Sequence, residues 1–217
     1  MLPARKAAKL IGLFFILAFF FYGIGNYLVE NVVYASGFNL NSPKYKDQIL
    51  NGSFLMLLNS LCVAGIGILA YPILNKYNNS IANTYFITRI IEAIFLTLGI
   101  ISLFLMSYST EFFNLNLSLE ILSILPKIFY KFNYYSYNIA MFFLGAGSLS
   151  FCYLLFSNKL IPGFLSIWGL IGYLIFSIGC VLEIYGFEVG TTFAIPGGLF
   201  ELVFGFWLIF KGFNIKE

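Results

Sequence analysis

Residues 85–107 read YFITRIIEAIFLTLGIISLFLMS, and this stretch decides the fold. As an α-helix it spans about 34 Å, enough to cross the roughly 30 Å hydrocarbon core of a bilayer. Its apolar residues run continuously instead of alternating, so a barrel strand is excluded and a transmembrane helix is indicated. Yet the run holds two opposite charges, Arg89 and Glu92. Three residues apart, they share a helix face and are placed to pair. Each charge at a helix centre costs about 2.5–3.5 kcal/mol on insertion scales, so such groups face the bundle interior. Arg89 lies near the inner end of the span and has the reach to snorkel to the interface. Glu92 is deeper and requires a partner or a proton.

The same reading extends outward to five more apolar runs, giving spans at roughly 10–29, 53–74, 85–107, 137–157, 163–184 and 193–210. Only 10% of the 217 residues are charged and 60% are hydrophobic. Soluble domains carry about 25% charge, so the main solvent of this chain is the lipid bilayer. The expectation is an all-α polytopic membrane protein, a six-transmembrane-helix bundle forming a single domain over 1–217. The net charge of +3 is small and dispersed, which excludes a nucleic-acid partner. Arg5, Lys6 and Lys9 precede the first run as in a signal peptide, but that run exceeds an h-region and a retained span is expected.

Lys and Arg distribution sets the orientation. Arg5, Lys6, Lys9, Lys76, Lys159, Lys211 and Lys216 fall on one side, and Lys44, Lys46, Lys127 and Lys131 in two longer loops on the other. Both termini are therefore expected on the cytoplasmic side. Of the two outer loops, Asn31 to Gly52 reads as irregular, being rich in Asn, Ser and Gly with Pro43. The other holds an amphipathic stretch, 118–131, which predicts a short interfacial helix between spans three and four, with Leu122, Leu125 and Phe129 toward lipid.

A third interior charge, Glu201, lies in the last span with Gly197, Gly198 and Gly205 on its face. Small residues let helices approach closely in lipid, so Glu201 is expected to point inward. By depth, Arg89, Glu92 and Glu201 form one candidate buried polar cluster. Asn26, Glu30, Asn59, Asn138 and Glu183 form a candidate second polar layer nearer the outside. Each group has a structural reading, fixing helix register or bonding helix to helix, and a functional one, since intramembrane ionisable groups often mark ligand or proton sites.

Chemistry is more constrained than architecture. Histidine is absent, which removes His-based acid–base catalysis, haem ligation and the usual zinc sites. Cys62, Cys152 and Cys180 sit in three different spans without metal-ligand spacing. No catalytic residue, metal ligand or cofactor is assigned.

Four segments in order carry a family resemblance: ARKAAKLIGLFFILAF (4–19), TRIIEAIFLTLGI (88–100), YNIAMFFLGAGSLSFCYLLFSNKLIPGFLSIWGLIGYL (137–174) and PGGLFELVFGFWLIFKG (196–212). Together they resemble the bacterial membrane family catalogued as domain of unknown function 4386. One departure is Tyr137-Asn138, where the family pattern has Tyr-Asp and commonly a nearby His. The resemblance implies a six-helix multi-pass protein of the bacterial inner membrane and brings no activity with it.

Three functions stay open. The first is a non-enzymatic integral membrane protein of unknown activity, and the second a small-solute or proton-linked transporter or channel using the cluster. The third, an intramembrane enzyme using Glu92 and Glu201 as paired acids, has no catalytic motif behind it. A small ligand, lipid or proton at the cluster is the expected partner besides the bilayer. Glue predicts a dry, fully packed pair, whereas a binding role predicts a cavity reaching the carboxylates.

Overall fold

The computed structural model describes residues 3–35, 42–112, 119–187 and 189–215. Every regular element among them is helical. In chain order these are α1 (Ala4–Val33), α2 (Pro43–Leu74), α3 (Asn79–Phe112), α4 (Leu119–Ser157), α5 (Gly163–Ile184) and α6 (Ile195–Phe210), with a 3-10 turn at Gly190–Phe193 before α6. Five of the helices are long and apolar enough to cross a membrane, while α6 is apolar but only 16 residues long. The chain is a multi-pass α-helical membrane protein.

Two loop expectations are corrected. The irregular loop expected over 31–52 is mostly helix, because α1 runs to Val33 and α2 starts at Pro43. Proline suits a first helical position, where its missing N–H would be unpaired anyway. Residues 36–41 lie outside the described residues. The separate interfacial helix expected over 118–131 is instead the opening of α4, which runs unbroken from Leu119 to Ser157, with Ser118 outside the described residues. Lys131 to Tyr137 holds no glycine or proline to end a helix, so the amphipathic segment and the span merge. Pro126 is accommodated inside and forfeits one backbone bond. At 39 residues α4 measures about 58 Å, well over the hydrocarbon thickness.

The helices form a closed ring in which each packs on its chain neighbour and α6 returns onto α1. Both chain ends lie at the same end of the bundle. There the Arg5 guanidinium donates to the backbone carbonyl of Phe210 and, at 3.4 Å, to that of Ile209. The Asn214 N–H donates to the Leu160 carbonyl at 2.8 Å, tying the tail to the α4–α5 turn. Arg5 satisfies the unpaired last carbonyls of α6 and opposes its dipole. Gly212 ends that helix with a φ of 77°, a conformation costly for other residues.

Glycine sits on glycine at three crossings: Gly12 with Gly205 (α1·α6), Gly25 with Gly52 (α1·α2), and Gly172 with Gly197 (α5·α6). A β-carbon at Gly25 would come within 2.7 Å of the Gly52 carbonyl oxygen, so these backbones touch directly. Such contact supplies the van der Waals energy that replaces hydrophobic driving force in lipid.

Toward the termini end the interior is solid. Phe15, Tyr85, Phe151 and Phe204 are each at most 1% exposed. Tyr85 stacks on Phe151 with centroids 4.3 Å apart, and Phe204 meets Phe15 and Phe151 edge-on at 5.5 and 5.8 Å. These offset and edge contacts are the favoured aromatic geometries. They form a floor across the ring, and Glu92, Glu201 and the head of Arg89 lie beyond it.

Candidate functional site

Arg89 rises from this floor. It is the eleventh residue of α3, about 15 Å along the helix from Asn79. Gly67 of α2 makes room for it, since a β-carbon there would lie 2.8 Å from the Arg89 β-carbon. The side chain does not snorkel; it is 2% exposed. Its Nε donates to the Tyr85 hydroxyl at 3.1 Å and its Nη1 to Glu92 Oε2 at 2.9 Å. The guanidinium also lies over the rings of Phe15 and Tyr85, 5.2 and 5.3 Å from their centroids, within cation–π range.

The remaining arm, Nη2, points toward α6. It comes within 4.0 Å of Glu201 Oε1, an ion pair without a hydrogen bond. Glu201 Oε1 instead accepts from the Tyr173 hydroxyl of α5 at 2.9 Å. The three charges expected to cluster do come together, with Glu92 and Arg89 directly paired and Glu201 at a remove. Tyr85 and Tyr173 were not anticipated. Tyr85 was discoverable, standing four residues before Arg89 on the same face; nothing in the local sequence singles out Tyr173.

Beside the cluster is a cavity of about 190 Å³ whose lining includes Arg89, Glu92, Glu201, Tyr173 and Asn59 with a mostly aromatic and aliphatic remainder. A second cavity, about 290 Å³, lies further from the floor and is lined by Asn26, Glu30, Asn138 and Glu183 with Tyr130 and Tyr134. The two share Tyr22, Tyr137, Phe176 and Ala194. Tyr22 and Tyr137 stack with centroids 4.7 Å apart and form the septum between the chambers.

The expected second layer is thus an actual lining for four of its five members. Asn59 is the exception and belongs to the inner chamber with Glu92. Counted from a span starting at 53 it looked peripheral; in the observed Pro43–Leu74 helix it is central. In the outer chamber Asn26 donates to Glu30 at 3.3 Å, and Asn138 to the Tyr134 carbonyl at 3.0 Å. Glu183 accepts from the Tyr134 hydroxyl and, at 2.7 Å, from the Gly190 N–H. It therefore fastens the 3-10 turn to α4. That is a structural task which engages both of its oxygens.

Among the described residues, Arg89 Nη2 is one of five buried side-chain polar atoms without a hydrogen-bond partner, the others being Ser53 Oγ, Ser148 Oγ, Ser166 Oγ and Trp207 Nε1. Only Arg89 lines either chamber. Unpaired buried groups carry a desolvation penalty of about 1–3 kcal/mol, more when charged. No group of three or more His, Cys, Asp or Glu suited to a metal occurs among the described residues.

This ring of apolar helices around a buried ion-pair cluster defines a polytopic helical membrane protein. Its family model matches residues 10–212, and the chain belongs to the family described as domain of unknown function (DUF4386). No curated protein matches the chain, and neither does any solved structure.

Proposed function

We propose that the chain is a non-enzymatic binding protein of the bacterial inner membrane whose Arg89–Glu92–Glu201 cluster forms the polar end of a chamber for a small molecule. The observation that carries this is a 2% exposed arginine on a cavity wall whose Nη2 has an ion-pair partner at 4.0 Å but no hydrogen-bond partner. Structural glue needs neither a cavity nor a buried N–H left without a hydrogen bond; a binding site uses both. The proposal includes one domain over 1–217 with six spans. Although α6 alone covers only about 24 Å, the 3-10 turn at Gly190–Phe193 leads into it and lengthens the crossing. The excess of Lys and Arg near Arg5 to Lys9, Lys76, Lys159 and Lys211 favours both termini in the cytoplasm.

Thiol protection tests the chamber. In a background with Cys62, Cys152 and Cys180 changed to Ala, Val63→Cys places a thiol on the inner chamber wall and Ala140→Cys places one in solid packing. N-ethylmaleimide is expected to modify position 63 much faster than position 140. Equal protection of both would identify the cluster as glue.

A further inference from the structure

The shape of the inner chamber and the gap at its polar end specify a ligand. We infer that the chamber takes a small, neutral, apolar alcohol or phenol that enters from the bilayer between α1 and α6, its hydroxyl bridging Arg89 Nη2 and Glu201. This rests on the reading of the cluster as a binding site and goes beyond it by naming the ligand class and the route.

The gap supplies the first argument. Nη2 and Glu201 Oε1 are 4.0 Å apart, too far to bond and close enough for one oxygen to reach both. An oxygen at about 2.8 Å from each subtends an angle of roughly 90°. It accepts from Nη2 and must donate to the carboxylate, which a hydroxyl or a water does and a ketone or ether does not; the apolar wall is what favours a hydroxyl carried on carbon. A carboxylate ligand is disfavoured because two carboxylates already face a single guanidinium. A cationic ligand would leave Nη2 idle and be repelled by it.

The second argument is the wall. Away from the polar end the lining, apart from Asn59 and the tyrosines Tyr22 and Tyr137, is ring and aliphatic carbon, including Phe15, Phe19, Val63, Met141 and Phe176. A volume of about 190 Å³ is somewhat more than the apolar cavity of about 150 Å³ that admits benzene. One substituted ring or a short branched chain fills it.

The third is the entrance. Of the lining residues only Phe19 and Gly23 are exposed, and both lie on α1 facing the α6 side. Nothing stands within 4 Å of a β-carbon position at Gly23, and the nearest neighbour of one at Gly198 is the Phe19 ring at 3.5 Å. The helices that touch at Gly12 and Gly205 therefore part further along, leaving a seam on the lipid-facing surface.

The test uses the full chain in lipid nanodiscs, with 4-fluorophenol and 4-fluorotoluene as ¹⁹F NMR probes and empty nanodiscs to subtract partitioning. Saturable binding of the phenol is expected, at least about tenfold tighter than of the toluene. Glu201→Met should abolish that preference while retaining the toluene, which also certifies its fold. Gly198→Val should slow exchange of both probes by narrowing the seam. Equal binding of the two probes, or a preference that survives Glu201→Met, overturns the inference. If Val63→Cys is readily modified and the phenol is not preferred, the ligand class alone is wrong; if that thiol is protected, the binding reading fails with it.

Discussion

Arg89 of α3 hydrogen-bonds Glu92 on its own helix at 2.9 Å but stops 4.0 Å short of Glu201 on α6. Helices α3 and α6 are not neighbours in the ring, so this one side chain links opposite walls of the bundle. A local pair and a distant, looser one divide its charge unequally, and the unequal division yields a prediction for each partner.

Removing the cation should hurt more than removing the pair. Arg89→Ala leaves a fully buried Glu92 and a partly exposed Glu201 uncompensated, with an expected loss of about 3–5 kcal/mol. Arg89→Met with Glu92→Gln should recover a large part of it. Thermal unfolding of the purified variants in one detergent checks the order, and a double variant no better than the single one would deny the pairing its role.

The glycine crossings give a contrast within one helix. Gly25→Ala drives a methyl into the Gly52 carbonyl and the Met56 side chain, and should cost about 1–3 kcal/mol. Gly23→Ala, two residues away, meets open space and should stabilise the helix by up to about 1 kcal/mol through propensity. Unfolding midpoints of opposite sign are the expected result.

At the other end of the bundle, Glu183 holds the Gly190 amide at 2.7 Å. Glu183→Ala should free that amide, so its hydrogen exchange accelerates. Tyr134→Phe, which removes only the partner hydroxyl, should cost about 1 kcal/mol and leave the amide slow. Comparable exchange in both variants would mean the turn is held by something else.

The termini are joined through Arg5. Gly212 combines a φ of 77° with close packing of the Arg5 side chain, so Gly212→Ala should cost about 1–2 kcal/mol and fray the end of α6. Arg5→Met should fray the same turn without backbone strain. Exchange at the last amides of α6 reports both.

The helices themselves were legible because unbroken apolar runs have one reading in lipid. So was the inward aim of Glu201, since two of the glycines beside it, Gly197 and Gly205, seat neighbouring helices. Helix starts were less so, although Ser42-Pro43 is a start signal that loop-like composition concealed. The displacement of Asn59 followed from that hidden start. The stacked Tyr22 and Tyr137 were beyond reach, because in a chain with 15 tyrosines and 27 phenylalanines no local feature tells a septum from a lipid-facing ring. Only packing separates them.

The aromatic floor of Phe15, Tyr85, Phe151 and Phe204 carries a last consequence. A compartment sealed below and entered from the side equilibrates with a single phase. Its occupancy tracks how much ligand is dissolved in the surrounding lipid and is indifferent to what lies across the membrane. On the proposed side entry the protein would act as a gauge or reservoir of the bilayer's contents, and vectorial movement would demand that the four packed rings first repack.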